Sequence, residues 1–346
     1  MVVRSKRSLQ NLAWDIKKKE NRMKNCSLKE IGNGLLEAKT VLLFPHVQMD
    51  GDALGSASAI CRALRTMGKQ AYILINEVVP ANIMFLDDGF CTTDMDILPN
   101  PDVCLAVDCS DISRIEGRKT VFFQGTVTMC IDHHVTNEAF ADLNFVDRHA
   151  ASTGEISYRL LQQMEYPMDA LSAQALYAAM ATDTGNFMYT NTTRETHLIA
   201  AALFETGMDH GKIGVEIYQN SRPEKVKLTA LCFASMEFVG EGKANIALIT
   251  QDMLKQAGAS MEETEGLVEQ MRNISGIEIS CIMKEDDDRI KVSMRSKTNG
   301  DVASIARNFG GGGHKKAAGF TLEVPMEEAK VLVKNAILQQ LKSLEG

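Results

Sequence analysis

Residues Val41 to Asp52 read VLLFPHVQMDGD, a short apolar run followed at once by one imidazole and two carboxylates. A run of four or five apolar residues ending at a proline is the length of a buried strand. The polar loop after it leads into a helical stretch from Ala53 to Thr66. The same grammar recurs downstream: Tyr72 to Ile75, Val103 to Val107 and Val127 to Ile131 are strand-like, and Gly154 to Met164 and Ala170 to Met180 are helical. Apolar runs alternating with helices predict βαβ units around a parallel sheet, whose active sites gather beyond the carboxyl ends of the strands.

Three of these ends carry chemistry, and a fourth segment joins them. His46, Asp50 and Asp52 lie within seven residues, with Gly51 expected to let the backbone turn between the carboxylates. Asp108 follows Val107 directly. Asp132, His133 and His134 follow Ile131, and a carboxylate beside an imidazole can fix its tautomer and raise its basicity. Asp183 follows the helical run ending at Met180. Taken one at a time, each aspartate reads equally as a helix or turn cap. Together they supply more carboxylate and imidazole donors than one ion needs. Two divalent ions about 3.5–4 Å apart with a bridging carboxylate would use them. A donor set without thiolate suits manganese or magnesium better than structural zinc.

The chain has 346 residues, enough for two cores. Its 45% hydrophobic and 24% charged content is that of an ordinary globular protein, and no apolar stretch is long enough to span a bilayer. The start, MVVRSKRSLQ, has no apolar core of a secretory signal, and eight cysteines without a CxxC pair read as reduced thiols, so a cytoplasmic location is expected. A formal net charge of −8 argues against long DNA or RNA as partner but not against a small nucleotide. Residues 1–27 read as a basic extension, 28–220 as the metal-binding catalytic domain, 221–235 as a linker and 236–346 as a second, smaller α/β domain. In that domain a helix is expected from Met261 to Arg272, a solvated hairpin turn at Glu285–Asp288, and a glycine loop at Gly310–Gly313 before His314. Arg295 and Ser296 lie near the end of a strand.

HVQMDGD, AVDCSD, DHH and the aspartate of ATDTGNF, in this order, resemble the four motifs of the DHH phosphoesterase family. GGGGH and the arginine of MRS are similar to the substrate-binding signature of the DHHA1 domain that often follows. The resemblance runs from about Leu28 to the C-terminus. It implies a Rossmann-like DHH domain, a DHHA1 domain and an active site in the cleft between them. It also implies two ions, manganese first and magnesium or cobalt as substitutes. His46 and Asp50 would bind one ion, Asp52 the other, Asp108 both, with His133 and Asp183 completing the set. His134 would face the substrate, and Asp132 would hold the histidines. Arg295, Ser296, Gly311, Gly312, Gly313 and His314 would hold the substrate. Stand-alone members of this kind hydrolyse short oligoribonucleotides and 3′-phosphoadenosine 5′-phosphate (pAp). A cyclic-di-AMP or pApA phosphodiesterase is the alternative. A silent nucleotide sensor or a single-strand DNA exonuclease is a weaker one. A homodimer is compatible with the group.

Overall fold

The computed structural model describes residues 24–344, so residues 1–23 of the expected basic extension lie outside the described residues. The chain divides into two compact units, between Asn220 and Ser221.

The first unit is built on a seven-stranded sheet in the order β1-β7-β6-β5-β2-β3-β4. The strands are β1 (Lys24–Asn25), β2 (Thr40–Pro45), β3 (Gln70–Leu74), β4 (Cys91–Thr92), β5 (Val103–Val107), β6 (Val127–Asp132) and β7 (Leu143–Val146). Every pairing is parallel. The central strand β5, VCLAV, is buried along its whole length, which is why it reads as an unbroken apolar run rather than an alternation. One face packs on helices α1 (Leu28–Glu37), α2 (Gly51–Thr66), α3 (Thr153–Gln163) and α4 (Ala170–Asp183) through a core that includes Ile31, Leu54, Ile60, Leu160 and Leu176. The other face buries Phe44, Phe122 and Phe140. From β2 the chain winds outward to β3 and β4, whereas β5, β6 and β7 run the other way. The order therefore reverses between β2 and β5, and ligands of such sheets bind at that crevice.

Two expectations change here. Residues 24–27 are not part of a free extension: β1 extends the sheet beside β7, and Ser27 caps α1 with a reciprocal bond from Glu30. Gly51 does not serve a turn. It sits in the first turn of α2, where a Cβ would lie 2.5 Å from Cγ2 of Thr182 on α4, so the glycine permits close helix packing.

The second unit has a six-stranded mixed sheet, order β12-β13-β11-β10-β9-β8. Its strands are β8 (Glu237–Val239), β9 (Ala244–Ile249), β10 (Ile279–Asp286), β11 (Arg289–Ser296), β12 (Gly312–His314) and β13 (Ala317–Leu322). The expected linker 221–235 is in fact largely helix α5 (Pro223–Ala234). Pro223 stands in its first turn, where a missing N–H costs nothing, and Leu228 and Cys232 are buried. The helix expected over Met261–Arg272 is broken: a 3-10 turn (Met261–Thr264) and helix α6 (Leu267–Arg272) flank Gly266 at φ +83°, a left-handed conformation that ends one element before the next begins. The acidic turn closes the β10–β11 hairpin, with Asp286 opposite Arg289. The glycine run is only partly a loop, because Gly312–His314 forms the exposed edge strand β12. Helix α7 (Met326–Ser343) packs Val333, Ile337 and Leu341 into the core under this sheet. Among the described residues no helix is long and apolar enough to cross a membrane. All eight cysteines are free thiols, six of them buried.

Candidate metal centre

His46 follows β2, Asp108 follows β5, and Asp132 closes β6 with His133 next. Asp50 and Asp52 open α2, and Asp183 ends α4. The winding of the sheet thus delivers all of them to one edge. The carboxylate of Asp50 caps α2 by accepting from the amides of Asp52 and Ala53, 3.0 Å each, and its Oδ1 lies 3.6 Å from Nε2 of His46. The capping reading of Asp50 is met, and the same side chain stands within ligand spacing of His46 and Asp108.

Asp108 lies at the middle. Its Oδ2 is 3.6 Å from Nε2 of His46, and its Oδ1 is 3.7 Å from Nε2 of His133. The residue is 3% exposed and its backbone has φ +60°, a left-handed conformation that a non-glycine residue adopts at a cost. His133 Nε2 is also 3.5 Å from Asp183 and 3.9 Å from Asp52. Three groups with metal-ligand spacing result: His46, Asp50 and Asp108; Asp52, His133 and Asp183; and Asp108 with His133 and His134. Two of the three contain Asp108.

The imidazoles are aimed from behind. Nδ1 of His46 is 2.8 Å from the Val47 carbonyl, and Nδ1 of His133 is 3.3 Å from the Ala150 carbonyl. A carbonyl can only accept, so each Nδ1 carries a proton and each Nε2 faces the carboxylates, where it could bind a cation set between them. His134 is turned differently. Its Nδ1 lies 2.7 Å from Asp132 Oδ1, which leaves Nε2 unengaged. Asp132 therefore orients the ring of His134 and bonds only the backbone amide of His133, at 2.9 Å, rather than holding both rings as expected.

The charges gathered here act strongly on one another. Burial, then the charges of Asp108, Asp183 and Asp50, push Asp52 well above the usual carboxylate range. Burial and the charge of Asp50 raise Asp108. Burial, opposed by His133 and helped by Asp108, pushes Asp183 up to about 7. Burial would lower His46 and His134, but Asp50 and Asp108 hold the first up to about 9, and Asp132 and Asp108 do the same for the second. Carboxylates crowded in this way keep their protons or take up cations. Divalent cations fit the site on that ground, and the all-oxygen-and-nitrogen donor set suits manganese or magnesium.

Sequence reasoning missed the segment 150–154. The amides of Thr153 and Gly154 donate to the two oxygens of Asp52 at 2.7 and 2.8 Å, and Thr153 Oγ1 donates to Asp108 Oδ1 at 2.8 Å. A helix from Gly154 was expected, but not that its first amides bond the site carboxylates; the capping-box pattern Ser152-Thr153-Gly154-Glu155 was the signal that places those amides at a helix N-terminus. Asn137 was missed as well; its Nδ2 donates to Asp132 Oδ2 at 2.7 Å.

In the second unit the expected substrate residues fare unequally. Arg295 is ion-paired with Glu269, its Nε 2.7 Å from Oε1. Gly312, Gly313 and His314 are exposed, and Gly311 is half-buried against Phe320. Ser296 is buried. Its hydroxyl donates to the Gly300 carbonyl at 2.8 Å, because strand alternation turns it inward, so it offers no group to a substrate.

Residues 40–182 match the DHH family, N-terminal domain, and residues 244–343 match the DHHA1 domain. A bifunctional oligoribonuclease and PAP phosphatase, NrnA, of Thermus thermophilus is 31% identical over 303 residues, covering 87% of this chain and 90% of that protein. The Bacillus subtilis protein of the same name is 29% identical, over 82% and 89%. Among solved structures, an exopolyphosphatase-related protein from Bacteroides fragilis superposes with a TM-score of 0.86 at 24% identity, over 92% of this chain and 96% of that one. An exonuclease RecJ bound to manganese shares the fold at a TM-score of 0.54 and 15% identity, over 90% and 94%. The chain belongs to the DHH phosphoesterase family and carries its DHHA1 domain.

Proposed function

We propose that this protein hydrolyses phosphate esters in short oligoribonucleotides and in pAp with the help of two divalent ions, manganese foremost. The observation that carries this reading is Asp108, a buried carboxylate whose two oxygens face His46 on one side and His133 on the other. His46, Asp50 and Asp108 would hold one ion, and Asp52, His133, Asp183 and Asp108 the other. Such an ion pair would supply an activated water and neutralise charge on the phosphoryl oxygens.

The chain's own groups do the rest. Thr153 and Gly154 fix the Asp52 carboxylate, and Thr153 fixes Asp108, so the ligands are set before substrate arrives. His134 keeps its proton at neutral pH through Asp132. Its free Nε2 is the group that donates to a phosphoryl oxygen or to the leaving oxygen. In the second unit, Arg295 and the segment Gly311–His314 serve as the substrate-holding groups. Arg295 would exchange Glu269 for a phosphate, a planar donor fork being well matched to either anion. The acidic net charge fits a small anionic substrate whose charge is met by ions and a few local cations.

The test is product release from pAp, pApA, a five-residue RNA, cyclic di-AMP and pyrophosphate, with manganese and then with magnesium. Release from pAp and the short RNA, lost in Asp108→Ala, supports the reading. Turnover of cyclic di-AMP alone would move the substrate to signalling dinucleotides. Binding without any turnover would make the protein a sensor.

A further inference from the structure

We infer that Asn191 is a positioning residue that sets the spacing between Asp183 and the segment that orients the other ligands of the second ion. The inference rests on the two-ion reading above. Nδ2 of Asn191 donates to the carbonyl of Asp183 at 3.1 Å and to the carbonyl of Ala151 at 2.9 Å. Those carbonyls belong to distant parts of the chain. Asp183 is the last residue of α4. Ala151 lies between Ala150, whose carbonyl orients His133, and Thr153, which bonds both Asp52 and Asp108.

The stretch that Asn191 stabilises is under strain. Gly185, Asn186 and Phe187 have φ of +56°, +58° and +63°, three successive left-handed residues directly after Asp183 and Thr184. For the two non-glycine residues this conformation is unfavourable, so the turn persists only where surrounding contacts over-determine it. Thr184 contributes by accepting the Phe187 amide on its hydroxyl at 3.0 Å and the Tyr189 amide on its carbonyl at 2.9 Å. These contacts shape the turn within itself. Asn191 ties the turn to the segment opposite. Its orientation follows from the bonding: both contacts are to carbonyl oxygens, which accept only, so the NH2 group faces them. A side chain that bridges the backbones behind two ligand sets controls their separation without touching an ion.

The test uses the full chain with Asn191→Leu, close in shape but without donors, and Asn191→Ala. Manganese is titrated into metal-free protein by calorimetry, and the melting temperature of the metal-free state is recorded beside it. The expected result is a dissociation constant for the weaker ion raised about 10–100-fold, the range for losing a group that orients metal ligands. The metal-free melting temperature stays within a few degrees, and activity returns at saturating manganese. Faster amide exchange at residues 184–188 in the metal-free variant would accompany this. Unchanged manganese binding in Asn191→Leu would overturn the inference. So would a loss of affinity matched by a loss of folding in both variants, because Asn191 would then be a general structural residue. Failure of the unaltered protein to bind manganese would instead sink the two-ion reading itself.

Discussion

Nδ1 of His134 lies 2.7 Å from Oδ1 of Asp132, a side chain with no exposed surface, while the adjacent His133 ring turns to a backbone carbonyl. Two neighbouring imidazoles are thereby given different settings, His133 turning Nε2 toward the carboxylates Asp108 and Asp183 and His134 being held through Nδ1 by Asp132. Asp132→Asn should separate the two. Turnover is expected to fall by about 10²–10⁴, the usual worth of a positioned acid or base, with manganese affinity nearly unchanged. In metal-free protein the His134 titration, followed by NMR, should move from about 9 toward its ordinary 6.5. Loss of metal binding with full His134 basicity would contradict this division of labour.

The metal-free protein should lose stability as pH rises through about 7. Burial, against the pull of His133, raises Asp183 from 3.8 to about 7, so the folded state keeps a proton that the unfolded chain has shed. A group raised in the folded state contributes fully below its unfolded value and loses that contribution above its folded one. Ions reverse the trend, and at a hundredfold excess over Kd each adds about 2.7 kcal/mol, roughly 5–10 °C of melting temperature. Melting scans at pH 6 and 8.5, with chelator and with manganese, check both statements. Greater stability at pH 8.5 in chelator would refute the first.

Gly51→Ala should cost about 1–3 kcal/mol of stability, as overpacking does, and reduce activity with it. The added methyl meets Thr182 Cγ2 at 2.5 Å and Oγ1 at 2.6 Å, one residue before Asp183. Pairing it with Thr182→Ala removes both obstructing atoms and should recover most of the loss in a denaturant titration. Additive losses in the double variant would show that the contact is not the cause.

Much of the site was legible because its donors are side chains that stand at the ends of apolar runs. Val103 to Val107 could be only a buried strand, and Asp108 after it could be only at the sheet edge. What escaped was backbone and distance. The carbonyl of Ala150, the amides of Thr153 and Gly154, and the link from Asn191 leave no mark on residue type, because every residue has a carbonyl and an amide. Ser296 was misjudged for a related reason: MRS as a string does not reveal which of its members faces inward, and β11 alternates with Ser296 on the buried side. The 221–235 linker was misjudged because its polar start hid the apolar spacing of Leu228 and Cys232.

In the second unit, Glu278 accepts from the amides of Thr298, Asn299 and Gly300 at 3.0, 2.7 and 2.7 Å. Burial works against its charge, but the hydroxyl and amides of this turn hold Glu278 below its ordinary 4.5. A lowered group contributes stability above its unfolded value and loses it as pH falls through the folded one. Replacement by Gln should therefore destabilise the unit at neutral pH and flatten its stability profile below pH 4.5. Equal acid sensitivity of the two proteins in urea titrations would rule this out.

The groups proposed to hold the ions come from β2, α2, β5, β6 and the end of α4, spread along the chain from His46 to Asp183. No nascent chain that stops before Asp183 possesses the whole set. On that proposal the complete set forms only after α4 has emerged from the ribosome and docked. A fragment that ends before α4 would lack the complete two-ion site, and with it the proposed hydrolysis of nucleotides.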